Sequence, residues 1–312
     1  MGLRLAMSIV DNPPTYVWFN GSIKRWNEVQ LPILTHALHY GTAVFDGIRA
    51  YPSADNLNIF RLKDHLNRLL YSAKIYYFDL KYGVEELTEG VLEVIRANGF
   101  KGRTYIRPIV FVGFGGIGLD FTGFPIEVAI VAVPFDKYFH KSAVRAKVST
   151  WRRISNEANP PLAKAAGNYL NSALAKQEAI RDGYDEAILL DHRGYVAEGS
   201  GENIFIVKDG VVYTPPTSSS ILVGITRDTI MKLLSDLGYK VIERDIDRSE
   251  LYICDEAFFC GTAAEVTPIV EIDRRPVGNG EIGPITRQIR DAYLDVVEGR
   301  NKKYAHWLTP VY

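Results

Sequence analysis

Residues 195–205 read Tyr195-Val196-Ala197-Glu198-Gly199-Ser200-Gly201-Glu202-Asn203-Ile204-Phe205. The run leads into a predicted strand at 203–207, and Glu198 lies at the end of a strand among glycines. A glutamate held there is able to approach a ring nitrogen of a cofactor closely. The run is not the Gly-x-Ser-x-Gly pattern of a serine hydrolase, because positions 198 and 202 are both glutamate. A cofactor site is therefore favoured over a nucleophilic serine.

Earlier in the chain, one lysine lies among small residues, in the run Ala163-Lys164-Ala165-Ala166-Gly167. Burial in an apolar pocket destabilises an ammonium, so that the amine is able to attack a carbonyl. Taken alone, the run fits a solvated surface lysine better. Lys164 and Glu198 together favour a catalytic lysine, because a protein that only binds a ligand has no need of both residues.

Two further runs are typical of anion-binding sites. Leu222-Val223-Gly224-Ile225-Thr226-Arg227 leads directly into a predicted helix, where backbone N–H groups, a hydroxyl and the positive end of the helix dipole come together. Cys260-Gly261-Thr262-Ala263-Ala264 is a second run of small residues, whose amides are able to face a carboxylate or a phosphate. Both runs indicate a phosphate-bearing or carboxylate-bearing ligand.

A glycine-rich run at 113–118, Gly113-Phe114-Gly115-Gly116-Ile117-Gly118, matches the pattern of a dinucleotide site. Such a site needs a helix that opens at the third glycine. Here residues 119–125 contain Gly123 and Pro125 where that helix would run. The run therefore predicts a turn between two strands, and it argues against a nicotinamide-binding oxidoreductase.

Charge and hydropathy exclude several classes of protein. Thirty-six Lys and Arg balance 37 Asp and Glu, for a net charge of −1, which argues against a broad basic surface for nucleic acid or anionic lipid. The apolar runs are too short to span a bilayer, and the first seven residues lack the features of a secretory signal. We expect a cytoplasmic protein with no nucleic-acid or membrane partner.

The cysteines and histidines suggest neither disulfides nor a metal. Cys254 and Cys260 are too few for a disulfide framework, and both are predicted to be buried thiols in a reducing compartment. His36 and His39 are three residues apart, which does not place both on one helical face. We expect no metal site.

Strand and helix signals are both plentiful, but they do not alternate regularly, which predicts an α+β protein of two domains. We expect a small N-terminal domain over 1–133, a connecting loop at 134–139 and a larger domain over 140–312. The predicted strands are 15–20, 57–60, 104–112, 127–133, 144–150, 186–190, 203–207 and 211–213. The predicted helices are a segment containing Leu62, Leu66, Leu69 and Leu70, a second ending at Asn98-Gly99, and 168–181, 226–237 and 284–297.

These motifs together resemble the fold-type IV pyridoxal phosphate enzymes. Four runs in the first third resemble, more narrowly, the branched-chain amino acid aminotransferases. They are His36-Ala37-Leu38-His39-Tyr40-Gly41, Val44-Phe45-Asp46-Gly47-Ile48-Arg49, Phe60-Arg61-Leu62-Lys63-Asp64-His65 and Tyr105-Ile106-Arg107-Pro108. The resemblance extends in order from about residue 16 to 300. It implies a small α/β domain and a larger domain with a barrel-like sheet.

The resemblance implies roles toward pyridoxal 5′-phosphate. Lys164 would bind the cofactor covalently and move the proton at the substrate Cα, and Glu198 would pair with the pyridine nitrogen. Tyr169 would donate to the ring hydroxyl, and Leu222 would pack on the ring face. The phosphate would be held by Arg61, Gly224, Ile225, Thr226, Gly261 and Thr262.

The resemblance also implies how substrates bind. The α-carboxylate would meet the amides of Thr262 and Ala263, assisted by Tyr105. The side chain would enter an apolar pocket lined by Tyr40, Phe45, Gly47 and Tyr138, which suits Leu, Ile and Val. Arg107 would pair with the γ-carboxylate of glutamate, because a guanidinium binds a carboxylate at two points; a domain-interface ion pair is the other interpretation of this arginine.

The implied activity is transamination between branched-chain amino acids and 2-oxoglutarate, as a step of amino-acid biosynthesis in a homodimer or homohexamer. The chain departs from the family pattern at two places: Asp46 replaces a glutamate, and the turn at 115–120 is not the commonest bacterial form. The turn caps the substrate pocket in this family, so its change weakens the expected branched-chain specificity. A D-amino acid or (R)-amine transaminase and an aminodeoxychorismate lyase remain alternatives within the same fold.

Overall fold

The computed structural model describes residues 13–53, 56–136, 138–139 and 141–312. The chain forms two compact units. The first unit comprises the residues up to Tyr138 together with Ala163–Gly167 and Val296–Tyr312, and the second comprises Phe139–Leu162 and Asn168–Asp295. Neither unit is continuous in sequence, and the domain boundaries given above stay a prediction. Lys137 of the expected connecting loop and the first seven residues lie outside the described part of the chain.

The first unit contains an antiparallel sheet of eight strands among its described residues. The strands are β1 (Tyr16–Phe19), β2 (Ser22–Arg25), β3 (Ala43–Phe45), β4 (Ile48–Ser53), β5 (Asn56–Phe60), β6 (Thr104–Val112), β7 (Ile126–Pro134) and β17 (Leu308–Pro310). Their order is β17-β5-β4-β6-β7-β1-β2, and β3 pairs with β6 beside β4. The strands predicted at 15–20, 57–60, 104–112 and 127–133 are confirmed, and Asn20 and Gly21 form the predicted hairpin turn between β1 and β2.

Three helices accompany this sheet: α1 (His36–Tyr40), α2 (Leu62–Ile75) and α3 (Val84–Asn98). The periodic leucines predict α2 correctly, since Leu62, Leu66 and Leu69 are fully buried in the core of the unit. The last residue of α3, Asn98, fixes that helix to β1, because its side-chain oxygen accepts from the amides of Thr15 and Tyr16 at 3.0 Å. The sheet thus has one face covered by apolar helix surface.

The second unit contains a nine-stranded mixed sheet among its described residues. The strands are β8 (Val144–Arg152), β9 (Glu186–Leu190), β10 (Val196–Gly199), β11 (Asn203–Lys208), β12 (Val211–Thr214), β13 (Val241–Glu243), β14 (Glu256–Gly261), β15 (Glu265–Ile272) and β16 (Arg275–Pro276). Their order is β10-β9-β8-β15-β14-β11-β12-β13, with β16 paired to β15. Three pairs are parallel: β8 with β9, β8 with β15, and β12 with β13.

The remaining helices are α4 (Tyr169–Arg181), α5 (Ile225–Asp236) and α6 (Pro284–Val297), each within one residue of its predicted bounds. A carboxylate fixes the start of α6, because Glu256 on β14 accepts from the amides of Ile285 at 3.1 Å and Thr286 at 2.7 Å. Short 3₁₀ helices lie at Trp26–Glu28, Ala166–Asn168, Thr217–Ser219, Arg248–Tyr252 and Lys302–Trp307.

The buried-thiol prediction for the two cysteines is confirmed, since both are free and buried. Burial raises the pKa of the Cys254 thiol to about 12 and raises the pKa of Cys260 further still. Across the described ranges, none of the helices combines the length and apolar character needed to cross a membrane.

Candidate active site

The backbone of Lys164 belongs to the first unit and is fixed there by two hydrogen bonds. Its carbonyl accepts from the amide of Phe45 at 3.0 Å, and its amide donates to the hydroxyl of Ser72 at 3.0 Å. The next residue, Ala165, forms an isolated antiparallel bridge with Val44 on β3. The Lys164 ammonium lies 5.3 Å from the centre of the Phe45 ring. The lysine is thus held at a defined place beside an aromatic wall.

Tyr105 and Arg107 lie on one face of β6, because residues two apart on a strand point the same way. A terminal guanidinium N–H of Arg107 (Nη2) donates to the Tyr105 hydroxyl at 2.7 Å. The guanidinium carbon lies 4.5 Å from the centre of the Phe45 ring and 5.2 Å from that of Tyr105. Among the described residues the buried Nε of Arg107 has no hydrogen-bond partner. This cation therefore rests on aromatic rings and keeps hydrogen-bonding capacity for a ligand.

Gly47 explains how the Tyr105 hydroxyl reaches its position. The glycine lies between β3 and β4, and a Cβ at this position would come within 2.2 Å of the Tyr105 hydroxyl oxygen. No side chain fits in that space, so only glycine permits the approach. Phe45, Gly47, Tyr105 and Arg107, four of the residues expected to contact substrate, are therefore brought together within the first unit.

The glycine-rich run at 113–118 is tied to α1, which carries Tyr40. The Tyr40 hydroxyl accepts from the amide of Gly118 at 3.1 Å. The His36 Nε2 donates to the Gly118 carbonyl at 2.7 Å, while its Nδ1 accepts from the Thr42 hydroxyl at 2.7 Å. No helix follows Gly118, and β6 and β7 pair antiparallel on either side of the run. The predicted turn between two strands is confirmed.

Arg61 precedes the first residue of α2 and has a left-handed backbone, with φ of 50°. Its Nε donates to Asp64 at 2.6 Å, and its guanidinium lies 5.0 Å from the centre of the Trp307 ring. These contacts orient a cation at the start of a helix, as a phosphate site requires. Tyr138 is half-buried beyond the end of β7, and its role in the substrate pocket stays a prediction.

In the second unit, Glu198 lies on β10 with its side chain 7% exposed. Its carboxylate accepts from Arg153 Nε at 2.7 Å, from Asn203 Nδ2 at 3.1 Å and from the amide of Leu222 at 3.2 Å. Donors to a carboxylate favour its charged form and fix its direction. A carboxylate of this kind is suited to receive the N–H of a protonated pyridine.

Sequence reasoning missed Arg153 and Asn203. Arg153 is 6% exposed and pairs with Glu198, while its buried Nη1 has no hydrogen-bond partner among the described residues. Asn203 bridges two parts of the site, because its amide donates to both Glu198 and the Leu222 carbonyl. A charged residue at the end of a buried strand needs such partners, which is the only signal that the sequence offered for them.

The predicted anion site lies at the start of α5. The helix begins at Ile225, and the preceding Gly224 supplies no side-chain cap to its first turn. A Cβ at Gly224 would lie 2.1 Å from the Asn203 side-chain oxygen, so the close approach requires glycine. Thr226 is 3% exposed within that first turn. The start of α5 thus presents backbone N–H groups and a hydroxyl at the positive end of the helix.

The other small-residue run forms the turn between two paired strands. β14 ends at Gly261 and β15 begins at Glu265, so Thr262 and Ala263 lie half-buried in the connection. Tyr169, at the first position of α4, is also half-buried. The roles assigned to these three residues stay predictions.

A buried acidic pair lies close to Glu198 in sequence and in space. Glu202 and Glu186 are both buried, and the Ser200 hydroxyl donates to Glu186 at 2.6 Å. Burial, reinforced by the charge of Glu186, raises the pKa of Glu202 to about 8. This side chain is therefore mostly a neutral acid at neutral pH.

Comparison with known proteins gives a consistent result. The model of the family "Amino-transferase class IV" matches residues 43–272. The branched-chain-amino-acid aminotransferase of Salmonella typhimurium is 46% identical over 301 residues, which is 95% of this chain and 97% of that protein. The enzyme of the same name from Pseudomonas aeruginosa is 44% identical over 309 residues, 98% of this chain and 100% of its own length.

Solved structures agree. The crystal structure of the branched-chain aminotransferase of Thermoproteus uzoniensis with norvaline has a TM-score of 0.93 and 50% identity, over 96% of this chain and 100% of that one. The branched-chain amino acid aminotransferase of Thermobaculum terrenum, in its PLP-form (holo-form), has a TM-score of 0.92 and 40% identity, over 96% and 99% of the two chains. The prediction of an α+β, fold-type IV architecture is confirmed, and the chain belongs to the class IV aminotransferase family.

Proposed function

We propose that this protein transfers the amino group between branched-chain L-amino acids and 2-oxoglutarate, with pyridoxal 5′-phosphate as its cofactor. The observation that carries the proposal is the arrangement in the first unit of an aromatic wall and an arginine beside Lys164. The relatives named as branched-chain aminotransferases support the substrate class, and the PLP-form of one neighbouring structure supports the cofactor.

The residues present fit pyridoxal phosphate. Lys164 would hold the carbonyl carbon of the cofactor, Glu198 the pyridine nitrogen and Tyr169 the ring hydroxyl, with Leu222 against the ring. Arg61, Gly224, Ile225, Thr226, Gly261 and Thr262 would hold the phosphate. The buried Arg153 Nη1, unpartnered among the described residues, supports this fit, because a buried donor without an acceptor is costly unless a ligand supplies one. The bound cofactor supplies a carbonyl for the amino group and a ring that delocalises the electron pair left when the Cα proton departs.

Each protein group has a separate task in that reaction. The Lys164 amine would move a proton between the substrate Cα and the C4′ atom of the cofactor, in opposite directions in the two half-reactions. Glu198, fixed by Arg153 and Asn203, keeps a proton on the ring nitrogen. Tyr105 and the amides of Thr262 and Ala263 orient the α-carboxylate.

Two unlike side chains are accommodated by the same group of residues. Phe45 and Gly47, with Tyr40 and Tyr138, provide the apolar surface for Leu, Ile and Val. Arg107 provides the cation for the γ-carboxylate of glutamate, at a point where its aromatic neighbours leave its charge unneutralised.

We also propose a cytoplasmic homodimer or homohexamer. Ile33, Leu38, Ile117 and Leu119 are each more than 60% exposed, and exposed apolar side chains favour association between copies. The free, buried cysteines support a reducing compartment.

The test is a donor panel with 2-oxoglutarate as acceptor: L-leucine, L-isoleucine, L-valine, D-alanine and (R)-1-phenylethylamine. A separate assay measures the release of pyruvate from aminodeoxychorismate. We expect product from the three branched-chain donors only. Lys164→Ala should lose all transamination and keep its fold by circular dichroism, while Lys232→Ala, at an exposed position, should match the wild type. The proposed function would be contradicted if D-alanine, (R)-1-phenylethylamine or aminodeoxychorismate reacted faster than the three branched-chain donors.

A further inference from the structure

One face of α2 carries a buried polar stripe, made of His65, Arg68 and Ser72 in line with Arg61 at the helix start. Their spacing of four, three and four residues places them on one side of the helix. His65 and Ser72 are each 1% exposed, and the Arg68 side chain is 13% exposed. Polar groups at such positions are expensive unless they are paired. The function proposed above uses Arg61 for the phosphate but gives no role to His65, Arg68 or Ser72, whose hydroxyl accepts from the Lys164 amide.

Two members of the stripe, His65 and Arg68, converge on Asp46, which lies between Phe45 and Gly47 in the sequence and whose side chain is fully buried. Its Oδ1 accepts from the Gly47 amide at 2.7 Å, from His65 Nδ1 at 2.8 Å and from Arg68 Nη2 at 2.7 Å. Its Oδ2 accepts from Arg68 Nε at 2.8 Å. Four hydrogen bonds therefore fix this carboxylate, two of them from a guanidinium that grips both oxygens.

The charge states of this network follow from the contacts. Burial alone would raise the pKa of Asp46, but the charge and hydrogen bonds of Arg68, together with the hydrogen bond from His65, hold it far below its usual range. An ionised carboxylate only accepts, so His65 donates through Nδ1. Burial lowers the pKa of His65, in opposition to Asp46, and the imidazole is neutral. The network is thus one ion pair with a fixed histidine tautomer.

The same helix face also reaches Lys164. The Ser72 hydroxyl accepts from the Lys164 amide at 3.0 Å and donates to the Arg68 carbonyl at 2.8 Å. The Asp46 amide donates to the Pro108 carbonyl at 2.9 Å, next to Arg107 on β6. One helix therefore fixes the backbone of the lysine and the turn that carries Phe45 and Gly47.

We propose that Asp46, held by His65 and Arg68, is a positioning residue that sets the balance between branched-chain and acidic substrates. The proposal rests on the proposed function. By fixing Gly47, Asp46 holds the backbone against which the Tyr105 hydroxyl packs, and that hydroxyl accepts from the Arg107 guanidinium. Loss of the Asp46 carboxylate frees Gly47 and loosens the Tyr105–Arg107 pair, on which glutamate depends more than leucine does.

The experiment measures single-turnover rates of the holoenzyme with L-leucine and with L-glutamate, followed by cofactor absorbance. Asp46→Asn keeps the shape and removes the charge, while Asp46→Glu keeps the charge and moves it by one methylene. The matched control is Asp191→Asn in the second unit. Asp191 is equally buried, accepts from Arg193 Nε and Nη2, and accepts from the amides of Arg193 and Tyr195.

We expect both variants to bind cofactor and Asp46→Asn to lose glutamate reactivity about tenfold more than leucine reactivity. Asp46→Glu, which restores the glutamate of the family pattern, should keep the ratio of the two rates within about twofold of the wild type. In Asp191→Asn the ratio of the two rates should stay within about twofold of the wild type, whatever its loss of thermal stability. An unchanged ratio in folded Asp46→Asn, or an equal shift in Asp46→Glu, would overturn the proposal. If Asp46→Asn does not fold, Arg68→Lys, which loses the two-point grip on Asp46, decides by the same ratio. Wild-type enzyme inert toward both amino acids would instead refute the proposed function.

Discussion

Arg107 in the first unit is half-buried and Arg153 in the second unit is buried, and the two candidate site residues differ in what surrounds their positive charge. Arg107 lies on the rings of Phe45 and Tyr105 and donates to a phenol. Within the described residues of its own unit, no carboxylate pairs with it. Arg153 instead donates to the carboxylate of Glu198 at 2.7 Å.

The difference shows what each region is able to bind. An arginine on aromatic rings retains its positive charge, so under the proposed function its region would attract a second carboxylate from the substrate. An arginine paired with glutamate leaves little net charge, and it would orient that carboxylate toward a protonated ring nitrogen. We therefore propose that the first unit selects the substrate side chain and that the second unit tunes the cofactor.

The largest expected effect comes from breaking the ion pair between Arg153 and Glu198. Glu198→Gln keeps the size of the side chain but removes the charge that stabilises a protonated ring nitrogen, so the rate should fall about 100-fold to 1,000-fold for every substrate. Steady-state rates and the absorbance of bound cofactor, measured on the same sample, test this.

The control for that variant is Glu256→Gln, at another buried glutamate of the second unit, which holds the start of α6. It should lower the unfolding temperature without changing the rate per bound cofactor. Near-normal turnover in Glu198→Gln would mean that another group faces the ring nitrogen.

A smaller and selective effect should follow the removal of the unpaired cation. In Arg107→Leu, the single-turnover rate with L-glutamate should fall about 30-fold or more, because a desolvated carboxylate loses its partner. The rate with L-leucine should change little, since Phe45 still provides the apolar wall. Arg103→Leu serves as control, because Arg103 also stacks on a ring, that of Tyr51, but pairs with Glu298. Equal losses for both substrates would show that Arg107 holds the α-carboxylate or the architecture.

The smallest effect on activity is expected at Glu202, where the predicted change is in the stability of the fold. The comparison is between two buried carboxyl groups of the second unit, Glu198 and Glu202. Glu202 is buried like Glu198, but burial and its charged neighbour Glu186 raise its pKa to about 8. The folded protein therefore holds a proton that the unfolded chain releases above about pH 4.5, so stability falls as the pH rises from 4.5 toward 8. Glu202→Gln should remove this loss, so the stability of the variant should gain on that of the wild type as the pH rises from 5 toward 8.

Urea unfolding at several pH values measures that gain. Glu178→Gln provides a control of opposite sign. Burial opposes the charge of Glu178, but donors from Ser149, Thr150 and Lys147 lower its pKa to about 2. Its stabilisation is present above about pH 4.5 and disappears as the pH falls toward 2, so the substitution should cost stability at neutral pH. A flat difference between Glu202→Gln and the wild type would place the buried proton elsewhere.

Local sequence patterns predicted the elements whose formation depends on their own residues. The leucines of α2 and the hairpin at Asn20-Gly21 are examples, because helical periodicity and turn chemistry act over a few residues. β17 was not predictable in this way, since it pairs with β5 across about 250 residues and only three of its own residues take part. The placement of Lys164 in the first unit also depends on distant partners, Phe45 and Ser72.

The site shows the same limit. Glycine-flanked Glu198 and the small residues around Lys164 carry a visible pattern, and a family resemblance extends it to Arg107. Arg153 and Asn203 have no pattern of their own, because their importance arises only when folding buries a carboxylate that they must satisfy. The protonation state of Glu202 was not predictable from the sequence either. The raised pKa of this side chain comes from its burial and from the proximity of Glu186, which only the folded structure shows.

The discontinuous path of the chain limits how this protein is able to recombine with its relatives. A gene crossover after Tyr138 would join one parent's β3 and α2 to another parent's 163–167 segment. The bonds from Phe45 and Ser72 to the Lys164 backbone, and the bridge from Val44 to Ala165, would then connect residues of different ancestry. Functional chimeras should therefore take three segments from the same parent: the residues up to Tyr138, Ala163–Gly167 and Val296–Tyr312.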